Sequence, residues 1–202
     1  MIGVILAGGR GVRMGGDKPG ALLLGKPLLQ WAVEAVEQVA SPIVLAVAPG
    51  QALPVLTSRE PMFVAEDLLP HRGPLSGIYT GLSTTGAEHV LVAPCDAPLL
   101  QPALLRLLIG RKNGVDAVVP EAGGRPEPSI GVYAKSCLGA LVEALNGSDR
   151  SLTGLLSRLT VDLVPEALVR EADPDLRSFH NANTREGLQE IEAMLQRVAA
   201  VP

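Results

Sequence analysis

Short apolar runs alternate with amphipathic stretches along this chain. Ile2–Ala7, Ile43–Ala48, Met62–Ala65, His89–Ala93 and Ala117–Pro120 are each brief, rich in β-branched residues and free of polar alternation. Strands buried on both faces read this way, and such strands belong mostly to parallel sheets. The stretch Pro27–Ala40 carries Leu28, Leu29, Ala32, Val33 and Val36 at close to a 3.6-residue period, which predicts a helix. Leu75–Ser83 and Pro102–Arg111 predict shorter helices, and Pro102 suits a first helical turn. Strand and helix in alternation predict an α/β domain with a parallel central sheet.

The second half is less regular. Ser129–Tyr133 predicts a strand, Lys135–Leu145 and Ser151–Arg158 helices, and Thr160–Val164 a further strand. Thr184–Val198 predicts the last helix, with Asn183 as its cap and Glu186 reaching back as a capping box. The composition of Glu121–Pro128 reads as a loop. No repeat or linker divides the chain, so 1–202 is expected to be one domain.

Composition narrows the function classes. Apolar residues make up 47% of 202, enough for a large core and too many for a disordered chain. Aromatic residues are only 2%, too few for a platform that stacks single-stranded nucleic acid. The formal net charge of −4 provides no global field toward nucleic acid or acidic lipid, so any contact with phosphate must be local. Cys95 and Cys137 are too few for a disulfide framework and lack C-x-x-C spacing, which points to a reducing, cytoplasmic setting. The N-terminal apolar run breaks at glycine with no basic region before it and reads as a buried strand rather than a signal peptide. No apolar stretch reaches the ~20 residues that span a bilayer.

The strongest chemical signal follows the first strand. In Leu6-Ala7-Gly8-Gly9-Arg10-Gly11-Val12-Arg13-Met14-Gly15-Gly16-Asp17-Lys18, five glycines fall within nine residues. Such a segment lets backbone N–H groups form an anion nest, which Arg13 and Lys18 would neutralise. Lys18 follows Asp17 and precedes Pro19, so the loop is not a Walker A. Met14 stands where a dinucleotide fingerprint needs its third glycine. Only four lysines occur in the chain, so one inside this loop stands out from ordinary surface charge. The second signal is Val90-Leu91-Val92-Ala93-Pro94-Cys95-Asp96-Ala97-Pro98, a buried strand ending in a carboxylate between two prolines. Asp96 there can hold Mg²⁺ or cap the following helix. The third is Ala65-Glu66-Asp67 followed by His71-Arg72-Gly73-Pro74-Leu75-Ser76-Gly77-Ile78. Asp67 can meet a base, sugar or metal, and Gly73 and Gly77 permit close approach, although a turn and helix cap would look the same. Cys95 reads as a small buried residue. His71, His89 and His180 have no metal-ligand spacing, and no G-x-S-x-G elbow is present.

Together, LAGGRGVRMGGDK, AED with RGPLSGI, PCDAP and FHNANT resemble the molybdenum cofactor guanylyltransferase family, from Ile2 to about Leu188. The first loop fits the L-A-[GA]-G-x-x-x-R-M-G signature of the wider nucleotidyltransferase superfamily. The LAGG form of Leu6–Gly9 is usual in guanylyl enzymes, whereas cytidylyl relatives usually show LAAG. The resemblance implies a Rossmann-like nucleotidyltransferase fold, a three-layer sandwich with a mostly parallel sheet. Nucleotide would bind on about residues 1–120 and the acceptor on about 121–202. It implies transfer of GMP from GTP to molybdopterin with Mg²⁺, releasing pyrophosphate and forming a guanine dinucleotide. The runner-up activities are cytidylyl transfer to molybdopterin, another sugar-phosphate-type transfer and, in a different class, a non-catalytic GTP-binding adaptor. By motif, Leu6, Ala7, Gly8 and Gly9 would contact GTP, Lys18 its phosphates, Asp67 the nucleotide and Asp96 the metal. Arg13, Gly73, Gly77, Arg150, Asn181 and Asn183 match positions near the active site, the last three on the molybdopterin side. Two departures stand out. Ala46 occupies the place of a nucleotide-contacting asparagine in the second strand, and GGDK lacks a residue that some members carry before Asp-Lys. The resemblance further implies a monomer that transiently meets molybdopterin-inserting or acceptor molybdoenzyme proteins.

Overall fold

A computed structural model describes residues 1–8, 18–69 and 72–199, with side chains to residue 196. Strand β1 (Ile2–Leu6) opens the chain. A small hairpin, β2 (Leu22–Leu23) and β3 (Lys26–Pro27), leads into α1 (Leu28–Val36). There follow β4 (Ile43–Val47), β5 (Met62–Glu66), α2 (Pro74–Thr85) and β6 (His89–Pro94). Next come α3 (Pro102–Gly110), β7 (Ala117–Ala122), β8 (Arg125–Pro126) and β9 (Gly131–Ala134). The chain finishes with α4 (Leu138–Asn146), α5 (Leu152–Leu156), β10 (Val161–Val164), α6 (Glu166–Ala172) and α7 (Arg185–Ala199).

The main sheet runs β10-β7-β9-β6-β1-β4-β5, with β8 paired to β7. Pairs β1–β4, β1–β6, β4–β5 and β7–β10 are parallel; β9 runs antiparallel to both β6 and β7, and the short β8 antiparallel to β7. Alternate residues of each strand feed opposite faces. Ile5, Leu45 and Leu91 pack under α1, α3 and α6; Val4, Val44 and Val92 pack under α2, α4 and α5. The result is the expected three-layer α/β sandwich. A satellite cluster of Leu23, Leu28, Leu99, Ala182 and Ile191 fastens α7 to the hairpin.

Helix α2 lies close to the sheet because Gly77 and Gly81 face it. An ideal Cβ at Gly77 would stand 2.6 Å from Leu6 Cδ2, and one at Gly81 2.6 Å from Val4 Cγ2.

Three local expectations change. The stretch read as a loop at Glu121–Pro128 contains the end of β7 and the short strand β8, paired through Glu121–Pro126 and Ala122–Arg125. The two glycines between them take positive φ, 59° and 71°, and let the chain reverse tightly. β5 is not buried on both faces. It is the sheet edge, and Phe63 and Val64 are 57% and 58% exposed. The last helix is capped by Thr184, whose Oγ1 accepts from the Gly187 N–H at 3.0 Å, and not by Asn183. With Thr184 at the cap, Gly187 occupies the position three residues on, so Glu186 is out of register for a capping box.

Candidate active site

The chain passes from β1 through α1 to β4 and β5 on one flank, then returns through α2 to β6 on the other flank of β1. Strand order reverses between β1 and β6, and in open α/β sheets the crevice outside such a switch point is where ligands bind. A cavity of about 260 Å³ lies there among the described residues. The end of β1 supplies Leu6, Ala7 and Gly8; the end of β6 supplies Pro94, Cys95 and Asp96. Lys18, Pro19, Pro74, Ser129, Asn181 and Asn183 complete its walls.

At its centre, Lys18 Nζ donates to Asp96 Oδ2 and, at 2.7 Å, to Asn183 Oδ1. The Lys18 and Asp96 side chains are 23% and 11% exposed, so the pair sits at the cavity mouth, partly shielded from water. The main chain holds this arrangement in place. The Asp96 carbonyl accepts from the Ala182 N–H at 2.8 Å, and Leu6 C=O accepts from the Cys95 N–H at 3.2 Å. Residues far apart in sequence, 18, 96 and 183, therefore meet because β1, β6 and the approach to α7 are stitched together at one level. Asn183, freed from capping by Thr184, spends its side-chain oxygen on the lysine.

Asp67 follows β5, and its N–H donates to Val47 C=O at 2.8 Å. Its Oδ2 would lie 3.1 Å from an ideal Cβ at Gly8, so a side chain there would crowd the carboxylate. Its Oδ1 is buried with no hydrogen-bond partner among the described residues, as is Asn181 Oδ1. Burial pushes the Asp67 carboxyl up to about 6. Native proteins rarely leave such acceptors unpaired, and a ligand carrying N–H or O–H donors would satisfy them. Cys95 is buried, and burial together with neighbouring Asp96 pushes its thiol up to about 12, which keeps it un-ionised and unreactive.

The other candidates fall into place differently. Ala7 and Gly8 both give their N–H groups to the Ala46 carbonyl at 2.8 Å, so neither is free to grip an anion, and their contribution to the cavity is shape. Gly9 and Arg13 lie outside the described residues. Gly73 adopts φ +65° just before α2, a conformation that favours glycine. Gly77 packs against Leu6 and Ala46, so it sets the depth of the site from behind. Arg150 is exposed between α4 and α5 and is not among the described cavity residues.

Two contributors escaped the sequence reading. Gln51 braces the site: its Nε2 donates to Ala7 C=O at 2.9 Å and its Oε1 accepts from the Ala48 N–H at 3.1 Å. A glutamine in a loop carries no motif that would reveal this. Ser129 lines the cavity because β9 runs back alongside β6, which only the sheet order discloses.

A glycine-rich loop leaving β1, a lysine and a carboxylate converging on a switch-point crevice, and buried acceptors awaiting donors define a nucleotidyltransferase-type α/β enzyme. Comparison with known proteins agrees. The family model for the MobA-like NTP transferase domain matches residues 3–163. A molybdenum cofactor guanylyltransferase of Desulfosudis oleivorans is 33% identical over 196 residues, 96% of this chain and 95% of that protein. The crystal structure of molybdopterin-guanine dinucleotide biosynthesis protein A from Archaeoglobus fulgidus superposes with TM-score 0.81 at 28% identity, covering 98% of this chain and 100% of that one. A cytidylyltransferase from Thermus thermophilus shares the fold at TM-score 0.68 and 20% identity, over 97% of this chain and 100% of that one. This chain belongs to the MobA-like NTP transferase family and is a transferase enzyme.

Proposed function

We propose that this protein transfers GMP from GTP to molybdopterin, releasing pyrophosphate and forming a guanine dinucleotide. The observation that carries the reading is the convergence of Lys18, Asp96 and Asn183 at the β1–β6 crevice, in the cavity that Gly8 lines at the end of β1. Similarity to molybdenum cofactor guanylyltransferases favours guanine and molybdopterin.

The site suits such chemistry. Nucleotidyl transfer demands positioning and charge neutralisation more than covalent help from the protein. Lys18 now satisfies the Asp96 carboxylate and Asn183; on arrival of a triphosphate its ammonium can exchange the carboxylate for phosphate oxygens. Asp67, whose Oδ2 lies beside Gly8, would accept from the donors of a ribose or a guanine. The acceptor's own phosphate is the nucleophile and already carries negative charge, so no general base is required. Its oxygen forms a bond to the α-phosphorus while the bond to the β-phosphate bridging oxygen breaks, and pyrophosphate departs with that electron pair.

Magnesium fits these residues. Mg²⁺ takes oxygen ligands, commonly one or two carboxylates together with substrate phosphates and waters. Asp96 offers one carboxylate at the crevice, and no group of three ligand-type side chains exists among the described residues. Asp96 would hold a hydrated ion shared with the triphosphate, and that ion would neutralise charge on the departing phosphates.

The test is a single-turnover assay with Mg²⁺ and molybdopterin, offering GTP, CTP, ATP and UTP separately and detecting pyrophosphate and dinucleotide. Product with GTP alone is expected. Product with CTP instead keeps the mechanism and overturns the base assignment. Pyrophosphate from none of them, in folded protein that still binds nucleotide, overturns the proposed reaction.

A further inference from the structure

We propose that the Ser129 hydroxyl binds the acceptor's reactive phosphate, on the opposite side of Asp96 from the nucleotide. The inference rests on the nucleotidyl-transfer reading above and adds to it the face from which the acceptor enters.

The argument begins with register. β9 pairs antiparallel with β6 through His89–Ala134, Val90–Tyr133, Leu91–Val132 and Val92–Gly131. Each step back along β9 is a step forward along β6. Continuing that register sets Ser129 across from Pro94, beside the strand end that carries Asp96. Ser129, Pro94 and Asp96 indeed line the same cavity.

The sheet order then divides the crevice. β6 stands between β1 on one flank and β9 on the other. Gly8 lies on the β1 flank, with Asp67 beyond it at the end of β5. Ser129 lies on the β9 flank. In an in-line displacement the incoming oxygen and the leaving pyrophosphate occupy opposite sides of the α-phosphorus. With nucleotide on the β1 side and Asp96 in the middle, the β9 side is left for the nucleophile. A hydroxyl there donates to a phosphate oxygen without adding charge that would compete with the transfer.

Ser129 is also held firmly. Tyr133, with no exposed surface, donates its hydroxyl to Pro128 C=O at 2.6 Å. The Ile130 N–H donates to Glu127 C=O at 3.1 Å, and the Glu127 N–H to Pro120 C=O at 2.9 Å. These bonds clamp the peptide on the N-terminal side of Ser129. The Ser129 side chain itself has no hydrogen-bond partner among the described residues, so its hydroxyl plays no part in holding the turn.

Two variants test the proposal: Ser129→Ala, and Ser129→Thr, which keeps the hydroxyl. The first readout is turnover, with GTP dissociation and molybdopterin KM measured separately. Ser129→Ala is expected to raise the molybdopterin KM about tenfold, the worth of one hydrogen bond to a charged group, and to leave GTP affinity within twofold. Ser129→Thr restores the wild-type KM. The second readout does not depend on transfer: binding of inorganic phosphate to protein saturated with Mg²⁺ and a non-hydrolysable GTP analogue. Phosphate is expected to bind wild type and Ser129→Thr alike, and Ser129→Ala several-fold more weakly. An unchanged molybdopterin KM, equal phosphate binding in all three proteins, or parallel losses for GTP and acceptor would each overturn the role of Ser129. If wild type transfers to no acceptor but phosphate binding still tracks the hydroxyl, the proposed reaction fails while the phosphate subsite stands.

Discussion

Replacing Asp67 with asparagine should make the free protein more stable and the enzyme worse. Burial disfavours the ionised form of the native carboxyl and pushes it up to about 6, and one of its oxygens has no partner among the described residues. In the unfolded chain the same group titrates near 3.8. The folded state therefore holds the proton more tightly. Below about pH 4 the group is protonated in both states and carries no penalty. Between 4 and 6 the unfolded chain loses its proton first, and above 6 the penalty on the native state is complete. A displacement from 3.8 to about 6 corresponds to ~3 kcal/mol for a group shielded from water. Asp67 is only half buried, and solvent screening reduces the expected penalty to ~1 kcal/mol. Asp67→Asn is nearly isosteric and removes the charge. Urea unfolding of both proteins from pH 4 to pH 8 should show the variant gaining ~1 kcal/mol at pH 8, shrinking to nothing at pH 4. Calorimetry at pH 8 should show GTP binding weakened tenfold or more in the variant. In wild type, GTP binding should strengthen as pH rises through about 6. A variant equally or less stable at pH 8 would refute the view that this carboxylate is an unrequited charge waiting for a ligand.

Three further outcomes follow from the same geometry. Asp96→Ala should abolish transfer while preserving the circular-dichroism spectrum, since Lys18 is part-exposed and can turn to water once its partner is gone; near-normal turnover would remove Asp96 as the metal ligand. Lys18→Ala should weaken GTP binding far more than guanosine binding, and equal losses in the two titrations would contradict a phosphate role. Gly77→Ala should lower thermal stability by ~1–3 kcal/mol and raise the KM for GTP, because the new methyl would stand 2.6 Å from Leu6 Cδ2 and push that side chain into the cavity; an unaltered Tm would show that α2 has room the structure denies it.

The sequence was most legible where a signal is local. β1, β4 and β6 are central strands, and their uninterrupted apolar runs announce them. β5 carries a similar run, yet its position at the sheet edge leaves Phe63 and Val64 exposed, and edge position is a property of strand order, not of the segment. α6 is absent from the sequence reading, although Pro165 precedes it and Arg170 reaches Glu166 one turn back. The exchange between Asn183 and Thr184 is similar. Either residue can cap a helix, and the choice is made by Lys18, a residue 165 positions away.

The same distinction separates what the site's motifs specify from what they leave to the fold. Lys18 and Asp96 stand out in sequence because each interrupts a characteristic context, a glycine loop or an apolar strand. Gln51 and Ser129 stand in ordinary loops, and their importance arises from what lies across from them. Gln51 ties the ends of β1 and β4 at the level where the glycine loop begins. Glu66 accepts from the Gly50 N–H at 2.9 Å, so β5 is tied to that same turn. The floor of the crevice is therefore a set of three strand ends held by side chains, with the Ala46 carbonyl accepting from the Ala7 and Gly8 N–H groups and its side chain buried beneath α2 beside Gly77. At that position, where the family resemblance leads one to expect asparagine, the alanine Cβ lies only 3.4 Å from an ideal Cβ at Gly77. What alanine cannot supply is a side-chain hydrogen bond to a nucleotide; Asp67, two residues beyond Ala65, the register partner of Ala46, carries an oxygen with no hydrogen-bond partner among the described residues and would be open to that work.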